Sequence, residues 1–245
     1  MMVHTSKPFS FDPPLVRGSL IKRYKRFFAD IELDDGRIVT AHCANTGSMT
    51  GLLEVGSVVW IQYRGTKGRK LAWSWELASQ AGALVGVNTS LPNQLVQNAI
   101  NEGFIPSLTG YSESKREVKF GHSRLDICLQ NSTLDARPCF IEVKNVTLAD
   151  GDQALFPDAV TARGLKHLHT LMEIVRSGYR AVQFFLVQRP DCKSFGPAWN
   201  IDKAYSEALA MARAQGVEIM AWKVDISPQA LALVDQLPIR LEKPN

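Results

Sequence analysis

The sequence predicts a mixed α/β protein, α+β overall, in which a small β-barrel precedes an α/β domain. Up to about Val87 the chain consists of short apolar and β-branched runs separated by turns, with no convincing helix among them. From Pro92 onward, strand-like runs alternate with longer helical segments, as an α/β domain requires. We therefore expect a boundary near residue 88, which divides the chain into residues 1–87 and 88–245.

The predicted barrel strands follow one another at regular intervals. They span residues 27–33, 37–43, 58–63, 71–77 and 84–87. Asp34, Asp35 and Gly36 form a hairpin signal between the first two strands. Five strands suit an OB-like barrel, a scaffold that often binds oligonucleotides, although a small SH3-like barrel fits nearly as well.

The second domain begins with a predicted helix at residues 92–101 and continues through three strands. Those strands span residues 117–120, 124–129 and 140–146, and the next elements are a helix at 158–177, a strand at 181–188, a helix at 201–215, a strand at 217–224 and a short helix at 228–235. Gly216, directly after the predicted helix at 201–215, is a typical residue at a helix C-terminus.

Charge is distributed unevenly along the 245 residues. The net charge is +4, and the whole excess lies within residues 1–85, since acids and bases balance in the remainder. A local positive excess raises the concentration of polyanions near that part of the protein, and it indicates a module that faces nucleic acid. Charge that serves only to keep the protein in solution is the alternative explanation. The 45% of hydrophobic residues are ample for a packed core.

The four cysteines, at positions 43, 128, 139 and 192, form no Cys-x-x-Cys pair, so neither a zinc site nor a disulfide framework is indicated.

The N-terminal segment lacks the apolar stretch of a signal peptide, and no apolar run approaches membrane-spanning length. We expect a cytoplasmic protein with no membrane partner. The absence of a Walker loop and of a G-x-G-x-x-G fingerprint argues against nucleotide hydrolysis and nucleotide redox chemistry. The oligomeric state is not indicated.

Two segments can bring two carboxylates and an ammonium together. Asp126 lies on one predicted strand, and Glu142 and Lys144 share a face of the next, because side chains two apart on a strand point the same way. Such carboxylates can hold Mg²⁺, and the lysine can assist water and offset phosphate charge, which is the chemistry of phosphodiester hydrolysis. The same alternation is also what an ordinary half-exposed strand shows.

Candidate contacts to nucleic acid lie in three places. Lys22, Arg23, Lys25 and Arg26 surround Tyr24, which combines cations for phosphates with an aromatic ring for base stacking. Arg124 precedes the carboxylate motif, and Arg163 and His167 lie four apart on one predicted helical face. The alternative for the first group is a barrel strand whose cations merely face solvent. The alternative for Arg163 and His167 is an ordinary helix surface. Residues 45–48 can offer backbone N–H groups to a phosphate, but any tight turn contains similar residues.

The order helix, three strands, helix, strand resembles the core of the PD-(D/E)XK nuclease superfamily, with Asp126, Glu142 and Lys144 at the motif positions. That resemblance implies that the two acids bind the metal and that the lysine assists the attacking water.

Several separate motifs together resemble the sugar fermentation stimulation protein A family over nearly the whole chain. They are LIKRYKRF at 20–27, NTGSM at 45–49, GVNT at 86–89, SRLD at 123–126, EVKNVT at 142–147 and FPDAVT at 156–161. The resemblance implies an N-terminal OB-like domain joined to a PD-(D/E)XK-like domain, and a DNA partner linked to regulation of sugar-utilisation genes. One departure is Asn98, where the family pattern has an acid.

The leading prediction is a DNA-binding protein with little sequence preference, since no recognition-helix motif is evident. A Mg²⁺-dependent endonuclease is the first alternative. An RNA-binding or RNA-processing protein is the second, because an OB-like barrel and a cationic surface do not choose between the two polymers.

Overall fold

The computed structural model describes residues 5–243. The first part of the chain contains strands β1 (Phe9–Ser10), β2 (Leu15–Tyr24), β3 (Phe28–Leu33), β4 (Ile38–His42), β5 (Val58–Tyr63), β6 (Trp73–Gln80) and β7 (Ala83–Gly86). After helix α1 (Pro92–Asn101) and a 3-10 turn (Pro106–Leu108) come β8 (Tyr111–Phe120), β9 (Ser123–Ser132), β10 (Cys139–Val146), β11 (Leu148–Asp150) and β12 (Gln153–Phe156). The remaining elements are α2 (Ala162–Arg176), β13 (Arg180–Val187), β14 (Ser194–Pro197), α3 (Lys203–Ala214), β15 (Glu218–Ile226) and β16 (Ala230–Gln236).

Strands β2 to β6 close into a five-stranded barrel. Their order is β4-β3-β2-β5-β6, and a parallel pairing of β4 with β6 completes the ring, while β7 extends the sheet from β6. Buried apolar side chains such as Ile31, Ile61 and Trp75 fill the interior. This closure confirms the OB-like barrel.

The first barrel strand corrects the sequence prediction. The predicted strands began at residue 27, whereas the barrel begins with β2, and the predicted strand at 84–87 corresponds to β7, outside the closed ring. The signal in β2 is weak because Arg17, Gly18 and Ser19 interrupt its apolar pattern. The hairpin predicted at residues 34–36 is confirmed, with Gly36 at φ +82° and Leu33 N donating to Arg37 O at 2.9 Å.

The second sheet has seven strands in the order β1-β16-β15-β13-β10-β9-β8. Strands β10, β13 and β15 run parallel, and the other pairings are antiparallel. Helix α1 packs on one face and helices α2 and α3 on the other, so apolar layers cover both sides of the sheet. A central strand of such a sheet is buried on both faces, as in β13, where every residue after Arg180 is buried.

The C-terminal part of this sheet differs from the prediction. Residues 228–235 were expected to form a short helix, but β16 occupies most of this segment. Its apolar residues Leu231 and Leu233 are buried, and pairing with β15 supplies its backbone partners. On its other side β16 pairs with β1, so the N-terminal strand belongs to the second sheet and not to the barrel. Tertiary pairing thus outweighs local propensity here.

Helix α2 begins at Ala162, four residues later than predicted. Thr161 caps it, since its side chain accepts a hydrogen bond from Gly164 N at 3.0 Å. All four cysteines are buried and free of disulfides. No helix within residues 5–243 is long and apolar enough to cross a membrane.

Candidate functional site

Asp126 lies where β9 and β10 separate. Backbone pairing between the two strands ends at Ile127 and Ile141. Beyond that point the side chain of Asp126 continues the contact, because its Oδ2 accepts a hydrogen bond from Val143 N at 2.7 Å. Its Oδ1 accepts from Asn93 Nδ2 at 2.7 Å, so β10 and α1 together fix both oxygens of the carboxylate.

Glu142 is the central acid of the site and is only 3% exposed. Its Oε1 accepts from Lys144 Nζ at 2.6 Å and is hydrogen-bonded to Nδ1 of His167, which reaches it from α2. Its Oε2 is buried and has no hydrogen-bond partner among residues 5–243. A buried carboxylate oxygen without a protein partner is rare in folded proteins, and a bound ion or water would satisfy it.

The two carboxylates influence each other electrostatically. Burial, together with the charge of Glu142, raises the pKa of Asp126 to about 6. Burial also opposes ionisation of Glu142, but the hydrogen bond from His167 and the charge of Lys144 outweigh it and lower the pKa of Glu142. Both acids are therefore ionised near neutral pH, with the single Lys144 ammonium beside them. Such an arrangement attracts a further cation.

Two more polar groups adjoin Glu142. Gln183 on β13 donates from Nε2 to the backbone oxygen of Glu142 at 3.0 Å. Tyr205 on α3 is completely buried, and its hydroxyl has no hydrogen-bond partner within the described chain. Burial, followed by the charges of Glu142 and Asp202, raises the pKa of Tyr205 well above its usual value. Strand β13 and helix α3 therefore contribute polar groups that sequence patterns did not reveal.

His167 and Arg163 have different environments, contrary to the expectation of one phosphate-facing surface. Arg163 is exposed, but His167 is buried at 6% exposure against Glu142. The reason is that His167 follows the face of α2 on which Gly164 and Leu168 are buried. His167 thus belongs to the carboxylate site. Arg124 on β9 is exposed, as a contact to nucleic acid requires.

The basic segment of the barrel divides into structural and exposed residues. Arg23 donates to the backbone oxygens of Asn45 and Gly47 at 2.8 and 3.1 Å, so its guanidinium anchors that loop. Lys25 and Arg26 form the β2–β3 turn and are exposed. Their φ angles are +48° and +63°, in the left-handed region that side chains rarely adopt.

Tyr24 also has partners within the barrel. Its ring stacks on Phe28 with centroids 5.4 Å apart, and its hydroxyl donates to Asp30 Oδ1 at 3.2 Å. Lys22 is exposed, lies 5.4 Å from the centre of the Tyr24 ring and pairs with Asp30 at 3.5 Å. Lys22 therefore lies over the Tyr24 ring, which in turn stacks on Phe28.

The loop at residues 45–49 meets an acid of the second domain. The Asp158 carboxylate accepts from Ser48 Oγ at 3.1 Å and from Met49 N at 3.2 Å. A side chain at Gly47 would place its first carbon 2.6 Å from Asp158 Oδ2, so this close approach requires glycine. The donors that the sequence offered to a phosphate therefore bind a carboxylate that joins the barrel to the second domain.

The helix residue in the site is Asn93, not Asn98. Asn93 donates to Asp126, whereas Asn98 lies five positions further along α1, about 140° around the helix. Glu117, an acid on the neighbouring strand β8, is exposed. No group of three or more His, Cys, Asp or Glu side chains suited to a metal ion occurs in the described part of the chain. Asp126 and Glu142 are the two carboxylates of the site.

Two family models match the chain. The model described as the sugar fermentation stimulation protein RE domain matches residues 90–230, and the SfsA N-terminal OB domain matches residues 21–87. The chain belongs to the sugar fermentation stimulation protein family. It is 48% identical over 230 residues to the sugar fermentation stimulation protein homolog of Geotalea daltonii, covering 94% of this chain and 98% of that protein. The homolog of Paramagnetospirillum magneticum is 50% identical over 225 residues, covering 91% and 94%.

A solved structure of the family, Pyrococcus furiosus SfsA in complex with Ca²⁺, has the same fold. It is 25% identical, with a TM-score of 0.87, and the match covers 95% of this chain and 98% of that one. The predicted family and fold class are confirmed. The boundary at residue 88 stays a prediction.

Proposed function

We propose that this sugar fermentation stimulation protein homolog binds nucleic acid with little sequence preference and hydrolyses phosphodiester bonds with a divalent cation at Asp126 and Glu142. One observation carries the proposal: the half-buried Asp126, the buried Glu142 and the Lys144 ammonium lie close enough to influence one another electrostatically, and Glu142 Oε2 has no partner in the described chain. The Ca²⁺ complex of the Pyrococcus furiosus relative supports a hard divalent cation as the metal.

The donor set suits Mg²⁺. This ion prefers oxygen ligands and keeps several waters, so one or two carboxylates suffice to bind it together with a substrate phosphate. The orphaned Glu142 Oε2 and the ionised Asp126 supply those oxygens. When bound, such a cation activates water and neutralises charge on the phosphate.

The surrounding residues prepare the acids for this role. His167 and Lys144 hold Glu142 Oε1, which leaves Oε2 for the cation. Asn93 and the backbone of Val143 fix the orientation of Asp126. Lys144 is positioned to offset the negative charge of a phosphate bound at the two acids.

DNA is the substrate that we propose first, with RNA as the alternative. Exposed basic residues supply phosphate contacts, which carry affinity but no sequence information. These residues are Lys22, Lys25, Arg26, Arg124 and Arg163. Binding should therefore weaken steeply as salt rises.

The second candidate is a DNA-binding protein without cleavage that acts on sugar-utilisation genes. It is favoured by one observation: within residues 5–243 no third acid joins Asp126 and Glu142. Binding would then depend on the exposed cations and not on the carboxylates.

Cleavage assays with Glu142→Ala and Lys144→Ala distinguish the two candidates. Labelled single- and double-stranded DNA and RNA are incubated with Mg²⁺, Mn²⁺ or EDTA, and binding and cleavage are scored together. Glu173→Ala, an exposed acid on α2, and Lys203→Ala, an exposed base on α3, serve as matched controls. Metal-dependent cleavage lost only in the two site variants supports the nuclease. Binding without cleavage, unchanged in all variants, supports the second candidate, and binding to no polymer refutes both.

A further inference from the structure

The loop between β5 and β6 is a second strongly basic, exposed segment of the barrel. It carries Arg64, Lys67, Arg69 and Lys70, all exposed, and no acid occurs between Tyr63 and Trp75. Arg69 donates to Ser74 Oγ at 3.2 Å, whereas Lys67 and Lys70 have no polar partner among the described residues. These two ammonium groups are therefore free to meet an anion.

A cavity of about 310 Å³ opens beside this loop. It is lined by Phe28, His42, Arg69, Lys70 and Leu71. Phe28 of β3 pairs directly with His42 of β4, so two ring side chains occupy neighbouring positions on adjacent strands. A flat apolar wall with cations at its rim, in a volume typical of small-molecule pockets, suits a planar group attached to phosphates.

A second cavity of about 180 Å³ shares His42 and Arg69 with the first and extends to Asn88 and Ser90. Ser90 lies two residues before α1, whose Asn93 donates to Asp126. The second cavity therefore reaches the segment that leads into α1.

We propose that the cavity at Phe28 and His42 holds an unpaired base of a single-stranded nucleic acid while Arg69 and Lys70 contact its flanking phosphates. The inference rests on the proposed function, because it takes nucleic acid as the ligand. A base in a duplex has both faces stacked on its neighbours, so only an unpaired base can enter. The protein therefore prefers single strands, or the single-stranded part of a branched substrate, to a duplex. DNA and RNA share this chemistry.

Intact and abasic strands of equal length test the base contact. Both carry the same phosphates, so a difference in affinity measures the base alone. Fluorescence anisotropy is recorded at one salt concentration for DNA and RNA single strands, an abasic DNA strand and a DNA duplex. A 2-aminopurine base in the DNA strand reports stacking directly. Phe28→Leu removes the flat ring while keeping apolar volume, and Lys70→Ala removes a rim charge.

Tyr63→Leu is the matched aromatic control, because Tyr63 is exposed on the same barrel and does not line the cavity. Circular dichroism confirms that each variant is folded. We expect the intact strand to bind about tenfold more tightly than the abasic strand. Phe28→Leu should abolish this difference and the 2-aminopurine quenching without weakening abasic binding, whereas Tyr63→Leu should preserve both. Lys70→Ala should weaken the two strands equally.

Three outcomes overturn the base pocket while leaving nucleic-acid binding intact. They are equal affinity for intact and abasic strands, tighter binding of the duplex, and an equal loss in Phe28→Leu and Tyr63→Leu. Failure to bind any strand refutes the proposed function as well, so the two failures are distinguishable. The relative affinities of the DNA and RNA strands identify the polymer.

Discussion

Asn93 Nδ2 lies 2.7 Å from Asp126 Oδ1, so the first turn of α1 is joined directly to the carboxylate on β9. Because Val143 N holds the other oxygen at 2.7 Å, the orientation of Asp126 is set by two elements that are distant in sequence. The backbone contact is independent of side-chain identity. The contact from Asn93 is the one that a substitution can remove.

Asn93→Ala should weaken divalent-cation binding by about 10- to 100-fold, the usual effect of removing a group that orients a metal ligand. Calorimetric titration with Mn²⁺ measures this affinity, and thermal unfolding verifies the fold. Asn98→Ala on the same helix is the matched control and should retain wild-type affinity. Equal affinity in wild type and Asn93→Ala would contradict the orienting role.

Asp126 should make the metal-free protein less stable as pH rises. Its pKa is about 6 in the folded protein against 3.8 for an ordinary aspartate, because of burial and the nearby Glu142 charge. The folded state holds the Asp126 proton more tightly than the unfolded state does. The resulting stabilisation is complete at a pH below the pKa of Asp126 in the unfolded chain, and it is lost as the pH rises through the pKa of Asp126 in the folded protein. Relative to Asp126→Asn, wild type should lose at most about 3 kcal/mol between acidic and neutral pH.

Urea unfolding in EDTA over this pH range measures the difference between the two proteins. A constant difference at all pH values would show that Asp126 does not titrate as the structure indicates.

His167→Ala should destabilise the protein by about 1–3 kcal/mol, because it removes a buried hydrogen-bond partner of the Glu142 carboxylate. His167→Gln, which can still donate, should recover part of the loss. Chemical denaturation measures both effects. His169→Ala is the control, since His169 lies on the same helix but is exposed, and it should leave stability nearly unchanged. Similar losses at the two histidines would refute the buried contact.

Arg26→Gly should raise stability by about 1 kcal/mol while weakening binding to nucleic acid. Arg26 has φ +63°, a conformation that glycine adopts without steric cost, and its exposed guanidinium is a predicted phosphate contact. Ala81→Gly relieves a similar φ of +50° in another hairpin without removing a charge. Both variants should unfold at higher denaturant concentrations, but only Arg26→Gly should bind DNA less tightly. Equal binding by both would exclude Arg26 from the contact surface.

The central order of helix, three strands, helix and strand in the second domain, and the positions of Asp126, Glu142 and Lys144 within it, could be predicted because they depend on local patterns. Apolar runs define β9 and β10, and alternation puts Glu142 and Lys144 on one face. The burial of Glu142 could not be predicted from that alternation alone, since it depends on α2 and α3 covering the face.

The remaining partners of the site come from distant parts of the chain. Asn93 and His167 are respectively 33 and 25 residues from the acids that they contact, and no local spacing connects them. Strand β16 was missed for the same physical reason, because its partners β1 and β15 are known only once the sheet is formed. Sequence patterns therefore specify the carboxylates but not the groups that orient them.

Titration of the protein with Mn²⁺, followed by electron paramagnetic resonance of the free ion, tests the proposed cation site most directly. Wild type should bind the ion at a site that is lost in both Glu142→Gln and Asp126→Asn and retained in Glu173→Gln. Each variant must keep the wild-type circular dichroism spectrum. Binding that persists unchanged in Glu142→Gln, or its absence from wild type, would contradict the assignment of Asp126 and Glu142 as the metal ligands.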